Sequence, residues 1–156
     1  MEAGYLWVLL LAMAPFVEIF FAIPAGVAMG LDVFLVALVA FVGNFLPLPV
    51  LALLHERLAR RFPRLFGASA TGARRRRGER VRRLLVRWGV PGLALQAPVG
   101  TGSHFATPLA LTMGAGQRHT LVWMAAALVL WSAGIALVSV LGLEGVRQLL
   151  SATASP

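Results

Sequence analysis

The chain has no cysteine, which excludes a disulfide framework, a thiolate metal site and a thiol nucleophile. It has no lysine either, so all 14 basic residues are arginine. Charge of any sign is scarce: 13% of 156 residues are charged and 59% are hydrophobic. A soluble domain averages roughly a quarter charged and half apolar. With a mean hydropathy of +0.82, the composition excludes an ordinary soluble domain. It predicts an all-α integral membrane protein, and the length suits one membrane domain.

What charge there is lies unevenly. Twelve of the arginines fall between Arg57 and Arg87, and only Arg118 and Arg147 lie elsewhere. In a soluble protein "ARRRRGERVRR" would suggest nucleic acid. Here it separates apolar stretches long enough to cross a bilayer, so the positive-inside rule places residues 57–87 in the cytoplasm. No nucleic-acid partner is expected. Anionic lipid headgroups are the expected partners of this loop, worth about 1 kcal/mol per arginine near the surface. Val81, Leu84, Leu85 and Trp88 recur at helical spacing while Arg80, Arg82, Arg83 and Arg87 point elsewhere. That pattern predicts an amphipathic helix lying on the membrane.

Four apolar segments reach the roughly 20 residues that a spanning helix needs. They cover residues 4–29, 33–54, 88–117 and 119–143. "AMA" before Pro15 resembles a signal-peptide cleavage site, but Glu2 and the missing basic n-region argue against cleavage. The second and fourth segments read as continuous spans. The first is interrupted at Pro15, Glu18, Pro24 and Gly26, and the third at Pro98, "GTGSH" and Pro108. Pro15 and Pro24 recur as Pro98 and Pro108, and Gly30 recurs as Gly114, at a nearly constant offset. Paired interruptions in two halves point to a transport site between repeats.

The expected architecture is therefore two inverted repeats, 4–56 and 88–143, joined by the basic loop 57–87 and followed by a tail, 144–156. Each repeat is a re-entrant hairpin followed by a transmembrane helix. Hairpins at segments one and three put both termini outside, whereas four full spans put both inside. The arginine count fits either, and the interruptions favour hairpins, because non-helical backbone at membrane depth survives only when buried in protein or lining a wet cavity.

"PFVEIFFAIPAG", then "GNFLPLPVLALL", then "APVGTGSHFATPLALTMGAG" resemble the small multidrug export protein family, a remote relative of the DedA-type membrane proteins. The specific parts are Glu18 with Ile23-Pro24, Gly43-Asn44 with Pro47, and Gly100-Thr101-Gly102. Where the family carries an Arg-Gly pair after the glutamate, this chain has Phe20 and Phe21. The resemblance implies export of small molecules. Through the DedA-type relatives it also implies translocation of lipid-linked phosphates, proton dependence and two re-entrant hairpins. The expected location is a prokaryotic inner membrane, crossed more than once.

Glu18 is the sharpest single signal, because an ionisable residue inside a membrane segment is costly and by default functional. A carboxyl there can take up and release a proton, the chemistry of coupled exchange. In "PVGTGSHF", Gly100 and Gly102 free the backbone to turn. Thr101 and Ser103 are placed to cap the following half-helix, whose N–H groups would attract an anion such as a phosphate. His104 is a second candidate for proton relay. The expected transport site is Glu18 with His104, and the expected substrate contacts are Pro24, Asn44, Pro98, Gly100, Thr101, Gly102 and Ser103. The substrate is a lipophilic or cationic small molecule or, alternatively, a lipid phosphate.

Gly26 and Gly30 form a GxxxG pair, the pattern of a dimer seam, so a homodimer is a further expectation. An intramembrane serine hydrolase built on Ser103 and His104 lacks a GxSxG elbow and a third, orienting acid. Three scattered histidines show no zinc spacing. No cofactor and no enzymatic activity are expected. A purely structural assembly factor would not need a buried Glu18.

Overall fold

The computed structural model describes residues 2–61 and 73–153. The expected basic loop is thus partly outside the described residues, at 62–72. Seven helices and no strand occur among the described residues: α1 Glu2–Met13, α2 Glu18–Ala28, α3 Val33–Phe45, α4 Pro47–Arg61, α5 Ala73–Gly100, α6 Ser103–Thr112 and α7 Gln117–Thr153. Two stretches are long and apolar enough to cross a membrane, Val33–His55 and Gln117–Val146. The first and third apolar segments are instead split into shorter helices. α7 runs past the apolar stretch to Thr153, since no proline falls within 144–153 and Leu, Gln, Arg and Ala there favour a helix despite Gly145.

The contacts gather into two compact units. The first takes the chain up to Gly43 and from Val129 onward, and the second takes Asn44–Leu128.

In the first unit, α1 and α2 pack against each other across a turn at 14–17. The core is Val8, Ala12, Ile19, Ala22, Ile23, Val27, Val36 and Ala40, all buried. Small side chains let the backbones close up, which matters in lipid, where packing rather than hydrophobic burial holds helices together. Gly43 is the extreme case: a Cβ there would lie 2.6 Å from the Leu9 carbonyl oxygen. Asp32 opens α3 by accepting the Leu35 N–H on its carboxylate at 2.9 Å, an ordinary N-cap. Phe34 and Val138 are 76% and 69% exposed. Helices this apolar on their outer faces need lipid around them, since a soluble core helix would have buried such residues.

In the second unit, α6 packs against both α4 and α5. Its buried side chains include Leu48, Ala52, Leu93, Ala94, Ala97, Ala106, Ala110, Met124 and Leu128. α5 contains a non-helical residue, Gly89, with φ 64 and ψ −165. In a straight helix Arg80 and Gly100 would be about 30 Å apart. The Arg80 guanidinium instead lies 3.6 Å from where a Gly100 Cβ would stand. The chain therefore reverses at Gly89, and the arginine-bearing arm folds back along the apolar one. A Cβ on Gly92 would collide with the Trp88 side chain, so that position also depends on glycine.

Two sequence expectations change. Pro24 and Pro108 do not break the chain, because each lies inside a helix, α2 and α6 respectively. Proline removes one helical hydrogen bond, and membrane helices tolerate that loss where neighbouring groups and small local adjustments re-satisfy the freed carbonyl. The actual breaks are the turns at 14–17 and 101–102. The GxxxG pair is also not a free seam. Gly26 is buried against Val8 and Val36 of its own unit, and Gly30, at φ 74, ends α2.

The matched glycines do the same local job. Leu31 N–H reaches the Gly26 carbonyl and Gly30 N–H the Val27 carbonyl. Ala115 and Gly114 likewise reach the Ala110 and Leu111 carbonyls. Gly114 has φ 89, so both α2 and α6 close on a left-handed glycine in a Schellman-type cap.

Candidate functional site

Glu18 opens α2 in the first unit and is 2% exposed. A carboxylate in a first turn suits the helix dipole. Glu2, Asp32, Glu79 and Glu144 are exposed, so burial sets Glu18 apart from them. The backbone entering it is strained: Phe16 has φ 76 and Glu18 φ 48. A bulky residue at positive φ is an outlier costing on the order of 1–2 kcal/mol, and such strain clusters at functional sites. Pro24, one helical turn and a half further on, is exposed.

The remaining expected residues belong to the second unit, and several of them meet. Pro98 is buried in the last turn of α5. Thr101 N–H and Gly102 N–H both donate to the Ala97 carbonyl, closing that helix. Phe105 N–H and Ala106 N–H both donate to the Gly102 carbonyl, opening α6. Gly102 is the N-cap at φ 82 and ψ 133, with no side-chain capping bond. The expectation that Thr101 and Ser103 cap this helix therefore fails. The Ser103 hydroxyl donates to Asn44 Oδ1 at 2.7 Å instead.

Asn44 reaches the tip from the last turn of α3 and is fully buried. His104 Nδ1 stands 3.4 Å from the same Ser103 Oγ. With its single proton directed to Asn44, the serine presents lone pairs to the histidine, so this is not the geometry of a nucleophile facing its base. Thr101 is 5% exposed. Its Oγ1 and Asn44 Nδ2 are buried without a hydrogen-bond partner among the described residues.

Gly100 and Gly102, paired in the sequence expectation, differ. Gly102 needs its left-handed φ, whereas Gly100 has no positive φ, and a Cβ there meets Arg80 at ordinary contact distance. We expect Gly102→Ala to lower the melting temperature of the purified protein by an amount equivalent to about 1 kcal/mol. Gly100→Ala should sit within about 0.5 kcal/mol of wild type. Equal melting of the two variants would refute the assignment.

Two residues escaped the sequence reading. His55 Nε2 lies 2.8 Å from Thr112 Oγ1. Because that hydroxyl donates to the Pro108 carbonyl at 2.8 Å, it accepts from the His55 ring, and the bond ties α4 to α6. Arg80, read as part of the polar face of an amphipathic helix on the membrane, lies against the Gly100 turn. No local pattern distinguishes it from its neighbours; only the reversal at Gly89 does.

An all-helical chain with two bilayer-length apolar helices, lipid-type outer faces and a buried carboxylate is a helical membrane protein. Its residues 18–133 match the family described as "Putative small multi-drug export protein", well over half of the chain, and the protein belongs to that family. No curated protein and no solved structure matches it.

Proposed function

We propose that the protein is a proton-coupled exporter of a small lipophilic molecule, crossing a prokaryotic cytoplasmic membrane more than once. The single observation that carries the proposal is Glu18, 2% exposed at the end of a strained turn, with φ 76 at Phe16 and φ 48 at its own backbone. A buried carboxylate is costly in lipid, and strain persists only where the surroundings enforce it. Both features suit a group that must change charge during a cycle, and the family's description as export proteins supplies the direction of movement. His104, 6% exposed, is the second titratable position of the cycle. Asn44 and the Pro98–Ser103 tip line the cargo's path. The test is flux of a lipophilic cation such as ethidium into proteoliposomes under an imposed pH gradient. Unchanged gradient dependence in Glu18→Gln would remove the basis of the proposal.

In this reading the two helix pairs, α1 with α2 and α5 with α6, are re-entrant hairpins of two inverted repeats. What supports it is the recurrence of a helix pair, a left-handed glycine cap and then a long apolar helix. Both termini then lie outside and residues 57–87 inside, where the arginines meet anionic headgroups. Single cysteines at Ala3, Ser69 and Ser155 in this cysteine-free chain check the topology with an impermeant thiol reagent. We expect 3 and 155 to label in intact cells and 69 only after permeabilisation. External labelling of 69, or protection of both 3 and 155, rejects it.

A further inference from the structure

His104 follows Ser103 in the first turn of α6, and the state of its ring is set from another helix. Asn44, in the last turn of α3, accepts the Ser103 hydroxyl proton on Oδ1 at 2.7 Å. The same Ser103 Oγ stands 3.4 Å from His104 Nδ1. A hydroxyl has one proton, and here it is committed to the shorter bond. Only lone pairs are left for the histidine, so the bond between them requires a proton on Nδ1. Asn44 and Ser103 are fully buried and His104 is 6% exposed, so bulk water does not compete for the hydroxyl.

A neutral imidazole carries one N–H, and the bond made by one ring nitrogen decides the state of the other. We propose that Asn44 and Ser103 are positioning residues that hold neutral His104 with its proton on Nδ1, so that Nε2 is the atom that takes up and releases a proton. This rests on the reading of His104 as the second titratable position of the cycle, and it adds the atom that titrates and the two residues that select it. The step balances on one nitrogen. The Nε2 lone pair binds a proton to give an imidazolium, and loss of that proton restores the starting ring. Nδ1–H keeps its bond to Ser103 in both states. The chain of bonds ends on the Asn44 carboxamide oxygen, which accepts a hydrogen bond but is too weak a base to take the proton itself. His104 is thus a terminal site, loaded and unloaded from the Nε2 side, and not a link in a wire through Ser103.

Other ionisable groups on the helices around α6 are placed differently. His55 of α4 is held at the opposite end of α6, with Nε2 2.8 Å from Thr112 Oγ1. Arg80 of α5 lies against Gly100 and stays charged throughout. Arg57 and Arg61 of α4, Glu79, Arg82, Arg83 and Arg87 of α5, and Arg118 and His119 of α7 are exposed. α3, which brings Asn44, carries no formal charge. His55 gives an internal contrast. The Thr112 hydroxyl donates to the Pro108 carbonyl, so His55 must donate from Nε2, the opposite assignment to His104.

The test reads the ring nitrogens directly, by nitrogen NMR on the full-length protein with isotope-labelled histidine in phosphatidylcholine nanodiscs. His55→Gln and His119→Gln assign the signals. With the rings neutral, we expect His104 protonated on Nδ1 and bare on Nε2, and His55 protonated on Nε2. As the pH is lowered, Nε2 should be the His104 nitrogen that gains a proton. Asn44→Ala frees the Ser103 hydroxyl to turn toward Nδ1, so the neutral ring should invert to Nε2–H. Ser103→Ala removes the acceptor and should leave a mixture of the two tautomers, whereas Ser103→Thr keeps the hydroxyl and should keep the wild-type ring. A neutral wild-type His104 protonated on Nε2 overturns the proposal, because the hydrogen bonds would then run from the Asn44 amide nitrogen toward the histidine. An unchanged Nδ1–H ring in Ser103→Ala, and in Asn44→Ala where that variant folds, overturns the positioning role. A ring that stays neutral until the protein unfolds removes Nε2 as a proton site. Gradient-driven flux in proteoliposomes separates this from the transport reading. Flux unchanged in His104→Gln, with the tautomers as assigned, takes His104 out of the cycle and leaves the ring assignment standing. Flux lost in His104→Gln, with the opposite tautomer in wild type, refutes the ring assignment alone.

Discussion

Glu18→Gln is expected to abolish gradient-driven transport while leaving the protein folded. The variant keeps the length and planarity of the side chain at a position that is 2% exposed, so packing around Ile19, Ala22 and Ile23 is retained. A neutral amide is also less costly to bury than a charge. What it loses is the ability to take up and release a proton. In proteoliposomes, flux driven by an imposed pH gradient should fall to the level of protein-free vesicles. Cargo binding at constant pH should survive, because binding and coupling are separate functions of the site. Glu18→Asp keeps the proton but shortens the reach by one methylene, and partial activity with a displaced pH optimum is expected. Melting temperatures of both variants, measured beside wild type, separate a coupling defect from a folding one. Full gradient dependence in a well-folded Glu18→Gln protein would make the carboxylate structural.

The largest stability effect is expected at Gly43. A Cβ there would stand 2.6 Å from the Leu9 carbonyl oxygen and 3.1 Å from the Ala12 methyl. A backbone oxygen cannot swing aside as a flexible side chain can, so α1 and α3 must separate along their contact. Overpacking of this kind costs about 1–3 kcal/mol. Gly134→Ala is the opposite case on α7: nothing lies within 4 Å of the added Cβ, and alanine favours helix over glycine by roughly 0.5–1 kcal/mol. Thermal melting in the same detergent should order the three proteins as Gly134→Ala, wild type, Gly43→Ala. A Gly43→Ala protein that melts with wild type would mean that α1 and α3 do not approach as described.

Much of the architecture is legible in composition and periodicity. Membrane residence follows from the scarcity of charge, because lipid demands apolar outer faces over about 20 residues. The helical stretches Val33–His55 and Gln117–Val146 need nothing beyond their own side chains. Glu18 stands out for the same reason, as the one formal charge from Gly4 to Met29. Gly30 and Gly114 are readable as helix ends because a left-handed cap is a local requirement that glycine meets best.

Long-range contact settled the rest. Pro24 and Pro108 look like breaks, yet each is carried inside a helix, since neighbouring packing outweighs one missing hydrogen bond. Gly26 in GxxxG could serve any close helix approach, and it is Val8 and Val36 that make its role internal. Gly43 and Asn44 are adjacent in sequence but act in different units, one admitting the Leu9 carbonyl and the other accepting the Ser103 proton across 59 residues. Arg80 is one of twelve arginines in its stretch, and only the reversal at Gly89 gives it a place at Gly100. Propensity and hydropathy depend on neighbours along the chain. The pairing of a donor with its acceptor, or of a glycine with the backbone it admits, depends on how the helices close in space.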